Sequence, residues 1–151
     1  MNPSFSSYLV NDVFGDAGVY IEVRWSKRAL LFDLGHNDGL GPTRLLRAND
    51  KFISHTHVDH FIGFDAVLRV ALGRGKTVRL FGPPGLINNV QGKLQGYTWN
   101  LVDGYPLTLD VHHVERWGQR ARRSFRGLIT PARGRASPSS SHRRCPARHR
   151  R

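Results

Sequence analysis

HTHVDH, residues 55–60, follows the short apolar run KFIS and places three histidines and one aspartate within six positions. Side chains two positions apart in an extended segment point the same way, so His55 and His57 are expected to face together. Asp59 and His60 fall where the chain turns into the next predicted helix, which aims a second pair of donors beside the first. Imidazole and carboxylate groups bind zinc. The stretch therefore predicts a loop that seats two neighbouring divalent ions.

The segments on both sides of this stretch alternate between strand and helix patterns. Residues 19–25 alternate apolar and polar side chains, which is typical of a half-buried strand. Residues 61–72 are apolar nearly all round, which is typical of a helix buried against a sheet. We predict strands over 19–25, 29–35, 51–54, 77–82 and 106–114, and helices over 43–48, 61–72 and 83–97. The order β-β-α-β-α-β-α-β predicts an α/β layered fold.

The charge of the chain changes abruptly near residue 115. The chain has 23 basic and 11 acidic residues, and residues 116–151 contain 12 arginines, no lysine and no acid. Large apolar side chains are scarce there, so we predict a disordered, Arg-rich C-terminal tail over 116–151 after a folded unit over 1–115. Two explanations fit this tail. One is an RNA-binding arm that contacts phosphates; the other, which the abrupt loss of acids and lysines favours, is a slip of the coding frame near residue 115.

Several classes of protein are excluded by the residue list. Cys145 is the single cysteine, which excludes an intramolecular disulfide and a cysteine-based zinc ligand set. The first ten residues lack the pattern of a secretory signal. No apolar run approaches the roughly 18 residues that a membrane span needs. We therefore expect a soluble, cytoplasmic protein without a membrane partner.

The HTHVDH stretch, with FDLG at residues 32–35 before it, resembles the metal-binding motif of the metallo-β-lactamase fold superfamily. Within that superfamily, the segments FISHTHVDHFIGFD, RLFGPPGL and YTWNLV resemble the ribonuclease Z-like branch, whose members trim the 3′ ends of tRNA precursors. The likeness covers residues 8–115. It implies that the chain forms the N-terminal half of a metallo-β-lactamase αββα sandwich, truncated or frameshifted after residue 115.

The resemblance also implies roles for individual residues. His55 and His57 would bind a first Zn²⁺ ion, and Asp59 and His60 a second, with Asp59 also serving as the general base. Asp33 would support the ligand loop through hydrogen bonds, although a turn residue at a strand end is an equal alternative. The implied function is zinc-dependent endonucleolytic hydrolysis of phosphodiesters in tRNA precursors, with two zinc ions in the complete site.

The resemblance is incomplete beyond His60. The family site needs a further histidine, a bridging aspartate and a final histidine, but no aspartate follows residue 115. The remaining histidines are His112, His113, His142 and His149. The first two lie on a predicted strand that precedes the third ligand of the family, and the other two lie among arginines, whose charge repels a dication. We therefore expect this chain to be weakly active or inactive.

Two other functions remain open. A different metallo-β-lactamase-fold hydrolase, acting on esters or thioesters, would share HTHVDH. A non-catalytic, Arg-rich nucleic-acid-binding fragment would bind RNA through residues 116–151 whether or not metal is present. Trp99 is expected to be a packed aromatic rather than a platform for base stacking. The oligomeric state also stays open, a homodimer included.

Overall fold

Seven strands form one mixed sheet in the computed structural model, which describes residues 4–99, 106–115 and 120–126. The strands are β1 (Phe5–Leu9), β2 (Val19–Val23), β3 (Ala29–Phe32), β4 (Asp50–Phe52), β5 (Thr77–Gly82), β6 (Thr108–Val114) and β7 (Arg120–Arg126). The helices of the described residues are α1 (Gly41–Arg47), α2 (Val58–Phe61), α3 (Phe64–Ala71) and α4 (Leu86–Gln95).

The strands are hydrogen-bonded in chain order, from β1 at one edge to β7 at the other. The pairs β1–β2, β2–β3 and β6–β7 are antiparallel, whereas β3 to β6 run parallel. Parallel neighbours need crossover connections, and α1, α3 and α4 lie in those connections. This arrangement confirms the predicted α/β class.

One face of the sheet forms the core with the helices. Cross-strand partners share a face, and the buried partners on this face include Tyr20, Leu31, Leu80 and Val111. They belong to one apolar cluster with buried residues of the helices: Leu45, Phe61, Phe64, Val67, Leu68, Leu86, Val90 and Leu94. We call this side of the sheet the helix face.

The opposite side of the sheet carries a row of stacked rings, and we call it the open face. Phe32, Phe52, Phe81 and His112 lie on four adjacent parallel strands. Their ring centroids are 4.9, 5.1 and 4.7 Å apart in turn, and each pair is within 19° of parallel. No helix of the described part of the chain contributes to this row.

The structure differs from the sequence expectation in four elements. Strand β1 and strand β7 were not predicted, and Arg120–Arg126 lie in the segment expected to be disordered. The single helix predicted over 61–72 is two helices, α2 and α3, separated by Ile62 and Gly63. Helix α4 begins at Leu86, after the two prolines rather than with them, because Gly85 adopts a left-handed conformation (φ 94°) at its N-terminus.

Residues 127–151 lie outside the described residues, as does the junction at 116–119. Strand β7 lies within the tail predicted over 116–151, so that part of the tail is ordered; the rest of the proposed division at residue 115 stays a prediction. Among the residues that the structure describes, no helix is both long enough and apolar enough to cross a membrane.

Candidate metal centre

The HTHVDH stretch leaves the sheet at the carboxyl end of β4 and enters α2, so its donors lie at the edge where the parallel strands end. The ring of His55 lies 4.5 Å from that of His57 and 3.8 Å from that of His60, centroid to centroid. The Asp59 carboxylate is 3.4 Å from Nε2 of His60. The structure therefore brings the four predicted donors together on one loop.

Asp33 and Ser54 form a hydrogen-bonded base under this loop. The Ser54 backbone N–H donates to Asp33 Oδ1 at 2.7 Å, and the Ser54 hydroxyl lies 2.9 and 2.8 Å from the two carboxylate oxygens. His60 Nδ1 donates to Asp33 Oδ2 at 3.0 Å. Because a carboxylate can only accept, Nδ1 of His60 carries a proton in this bond.

The Ser54 hydroxyl is also 2.9 Å from His55 Nδ1. A hydroxyl that donates its single proton to Asp33 accepts from this nitrogen, and Nε2 of His55 then remains as the donor atom for a ligand. Nε2 of His60 lies 3.4 Å from the Asp59 carboxylate. An outer carboxylate that orients ligating histidines in this way is typical of metal sites. The sequence predicted a supporting role for Asp33 and none for Ser54, whose signal is its place immediately before His55.

Asp33 adopts a left-handed backbone conformation, with φ 57°. Aspartate enters this region more readily than most residues, but it is uncommon within or next to a strand. Its backbone N–H is bonded to the Phe52 carbonyl at 2.8 Å, and its carboxylate is bonded to Ser54. The surrounding bonds therefore hold the side chain beneath the histidines at the end of β3.

The loop after β3 and helix α2 touch backbone to backbone. Leu34 N–H donates to the His60 carbonyl, and Gly63 N–H donates to the Leu34 carbonyl, both at 2.8 Å. A Cβ atom on Gly63 would collide with the Gly35 carbonyl oxygen and the Asn37 amide. Glycine at position 63 is therefore required for this contact, which sets the position of the helix that carries Asp59 and His60.

The far side of the ligand loop is attached to α4. The Asn89 side-chain amide donates to the Thr56 hydroxyl at 2.7 Å, across 33 residues of sequence. Thr56 lies between the two histidines of the HTH triplet, so this bond attaches the loop to α4 in addition to its bonds with Asp33. Sequence reading gave no signal for Asn89.

The other predicted candidates do not join the cluster. His112 stacks on Phe81 and lies 3.4 Å from Asp110, and His113 lies 3.1 Å from Glu115. His142 and His149 lie outside the described residues. Trp99 donates from Nε1 to the Leu94 carbonyl at 2.8 Å and packs against the core.

The donor chemistry fits divalent ions only in part. Two imidazole nitrogens are free and oriented, and a carboxylate lies beside one of them. However, the described residues contain no group of three or more His, Cys, Asp or Glu side chains arranged to hold a metal ion. Within the described residues, the loop therefore presents part of a ligand set.

Comparison with known proteins gives a sequence relative and several structural neighbours, two of which are described below. No protein-family model matches the sequence. The chain is 37% identical over 90 residues to a protein named ribonuclease Z from Deinococcus radiodurans, which confirms the resemblance to the ribonuclease Z branch. The match covers 58% of this chain and 27% of that protein, so the chain spans about a quarter of the relative's length.

Two of the solved structures similar to this chain have the following names and coverages. One is the short form of human tRNase Z (ELAC1), with a TM-score of 0.42 and 23% identity over 58% of this chain and 35% of the human chain. The other is the metallo-β-lactamase fold protein YhfI from Bacillus subtilis, with a TM-score of 0.43 and 13% identity over 80% of this chain and 57% of that chain.

Proposed function

We propose that this chain carries the metal-binding loop of a zinc-dependent hydrolase of the ribonuclease Z type, which cleaves phosphodiester bonds at the 3′ ends of tRNA precursors. The observation that carries the proposal is the convergence of His55, His57, Asp59 and His60 above the Asp33–Ser54 base. The sequence similarity to the Deinococcus protein supports the choice of substrate class. The loop itself supports only a metal-dependent hydrolase.

The proposal assigns a role to each residue of the loop. His55 and His57 would hold one zinc ion, and Asp59 and His60 would hold the other. Bound ions would supply Lewis-acid stabilisation of the charge that develops on the phosphate. The Asp59 carboxylate is 60% exposed, so it can exchange a proton with solvent and serve as the proton carrier. Asp33 would act as a positioning residue that keeps Nε2 of His60 available.

Zinc content per purified chain tests the ligand assignment. We expect the wild-type chain to retain zinc after gel filtration, and His57→Ala to lose it, because removing one donor from an incomplete set leaves too few ligands. Asp33→Asn should weaken zinc affinity by about 10- to 100-fold, since the amide no longer fixes the proton of His60 on Nδ1. Elemental analysis and competition against a chromophoric chelator measure both effects.

Histidines elsewhere in the chain provide the control. The double variant His142→Ala/His149→Ala removes two histidines far from the loop in sequence and should leave the zinc content unchanged. Zinc that persists in His57→Ala but disappears in the double variant would contradict the assignment.

Cleavage of a tRNA precursor tests the activity of this particular chain. We expect weak or no cleavage, because the loop presents part of a ligand set. Cleavage at the rate of a full-length ribonuclease Z, abolished by His57→Ala, would show that the expectation of weak activity is wrong while supporting the site.

A further inference from the structure

The loop between β1 and β2 exposes two apolar side chains at its tip. Val13 is 79% exposed and Phe14 is 100% exposed. Single apolar residues on a surface are ordinary, but loop tips usually carry small or polar residues. An aromatic ring that packs against nothing in its own fold is free to stack on a ligand.

This loop has a fixed backbone. Val10 N–H donates to the Gly18 carbonyl at 2.8 Å and closes its base, and Gly15 N–H donates to the Asp12 carbonyl at 2.9 Å within it. The Asn11 side chain donates to the Asp16 carbonyl at 2.8 Å. The tip is therefore presented by an ordered turn, so a contact made by Phe14 costs little entropy of ordering.

The same loop contacts Gly35 and His36, which follow Asp33 in the chain. Gly35 N–H donates to the Ala17 carbonyl at 3.0 Å, and the backbone N–H of His36 donates to Asp16 Oδ2 at 3.2 Å. A Cβ atom on Gly35 would lie 2.5 Å from Asp16 Cβ and 2.7 Å from the Asp59 carbonyl oxygen. Gly35 is thus enclosed between this loop and the helix that carries Asp59.

Phe14 lies two residues before Asp16 in the chain, so it is close to this contact. Two peptide units separate it from Asp16, so their Cα atoms are at most about 7.6 Å apart. The ring is fully exposed, so it projects into solvent a short chain distance from the Asp16 contact with Gly35 and His36.

The charges of the loop restrict what the tip can bind. Asp12 and Asp16 flank Val13 and Phe14, and two carboxylates repel a phosphate. An uncharged aromatic base presents a face that stacks on phenylalanine irrespective of its sequence identity. The loop therefore suits the base of a nucleotide rather than its phosphate.

We propose that Phe14 is a specificity-determining residue that stacks on an unpaired nucleobase next to the scissile phosphate, so that the site takes a single-stranded RNA end. This inference rests on the proposed function, because the metal loop would supply the phosphate contact. Phe14 acts on binding and not on the zinc ions, and the two proposals can fail separately.

The test uses the full chain and a short, 5′-labelled, single-stranded oligoribonucleotide, with an otherwise identical oligomer carrying abasic sites as the partner probe. Both probes have the same number of phosphates, so contacts between arginines and phosphates contribute equally to the two affinities. Raised salt weakens these contacts. We expect the wild-type chain to bind the base-containing probe about tenfold more tightly than the abasic probe. Fluorescence anisotropy measures both affinities.

Three variants identify the source of the difference. Phe14→Ala should remove the difference in affinity. Phe14→Leu should also remove it, because leucine has no π face, whereas Phe14→Trp should keep it. Trp25 is the matched control, since it is 92% exposed and lies in the β2–β3 turn at the opposite end of these strands. Trp25→Ala should leave both affinities unchanged.

Equal affinity for the two probes, or a base preference that survives Phe14→Ala, would overturn the inference. A base preference that persists in Phe14→Leu would also overturn the inference, because such a result would indicate a general apolar contact, as for an acyl substrate. Zinc measured on the same preparations separates the two proposals. If the wild-type chain holds no zinc but its base preference is lost in Phe14→Ala, the proposed function is contradicted and the stacking contact is supported.

Discussion

At the residue scale, Lys51 is the least ordinary side chain of the core. It lies in β4 on the helix face and is only 1% exposed. Its ammonium group donates to the carbonyl oxygens of Leu45 and Ala48, at the C-terminal end of α1. Burial, with a smaller contribution from the charge of Lys76, lowers the pKa of Lys51 from 10.5 to about 7. The neutral amine is therefore the favoured form in the folded chain at moderately alkaline pH.

This pKa predicts how stability varies with pH. Between pH 7 and 10.5 the unfolded chain binds a proton at Lys51 that the folded chain does not, so the free energy of unfolding rises with pH across this window. The rise should be on the order of a few kcal/mol. Lys51→Met should remove it, and urea unfolding at several pH values measures it.

The control for this prediction is an exposed lysine. Lys27 lies in the β2–β3 turn, and Lys27→Met should leave the pH dependence as in the wild type. Nearby titratable groups, chiefly Lys76 and Asp50, are retained in both variants. A pH dependence that is the same in Lys51→Met and the wild type would contradict the buried lysine as its source.

Residue-level chemistry was predictable where it is local in sequence. The donors of HTHVDH lie within six positions, so strand geometry followed by a turn predicts that these side chains lie near one another, and their role as ligands stays a prediction. Ser54 and Asn89 act across long loops, on Asp33 and Thr56 respectively, and no periodicity reports such a contact. The burial of Lys51 was also missed, because lysine is among the residues least often buried.

At the element scale, the division between α2 and α3 has a structural cause. The sequence 61–72 is apolar nearly all round and predicts one helix, but the chain must bring Gly63 against the backbone of Gly35. We expect Gly63→Ala to destabilise the fold by about 2–4 kcal/mol, because the added methyl group collides with backbone rather than with a flexible side chain. It should also lower zinc retention, since α2 carries Asp59 and His60.

A glycine inside α4 is the matched control. A Cβ atom on Gly92 would meet no atom within 4 Å, and the residue lies within a regular helix. Gly92→Ala should therefore stabilise the chain by about 0.5–1 kcal/mol. Thermal and urea unfolding compare the two variants, and a Gly63→Ala chain as stable as the wild type would refute the requirement for close approach.

The strands were predictable where their side chains alternate. β5 was predicted with its observed bounds, and β2, β3 and β6 were predicted to within a few residues. β7 was missed because the RARRSFR segment contains almost no apolar residue. Its order comes from tertiary contacts instead, with Phe125 buried in the core and Arg122 bonded to both carboxylate oxygens of Asp110 at 2.7 and 2.6 Å.

At the scale of the whole molecule, the two sides of the sheet are unequal. The helix face is covered, whereas no described element covers the open face. Charges on the open face are paired within the sheet: Asp50 contacts Arg79 and Arg28, and Asp110 contacts Arg122. The bond from the Arg122 guanidinium also holds the pKa of Asp110 below its ordinary value. The open face is therefore an apolar surface whose charged side chains are already paired. Such a surface suits burial under a second layer of structure, which is what the resemblance to half of a sandwich implies.

The exposed apolar surface predicts how the purified chain behaves in solution. It should bind a hydrophobic dye such as ANS and should self-associate, because contiguous apolar patches favour association. Phe52→Thr replaces a ring at the centre of the stacked row with a residue that keeps strand propensity. We expect this variant to bind less dye and to sediment as a smaller species.

The matched control removes an equally large ring from an isolated position. Trp25→Ser lies in the β2–β3 turn, away from the row, and should change neither dye fluorescence nor sedimentation. A wild-type chain that binds no dye would indicate that the open face is covered in solution. Equal effects of the two variants would mean that dye binding reports general exposure of aromatic rings, and the row Phe32–Phe52–Phe81–His112 would then not be the associating surface.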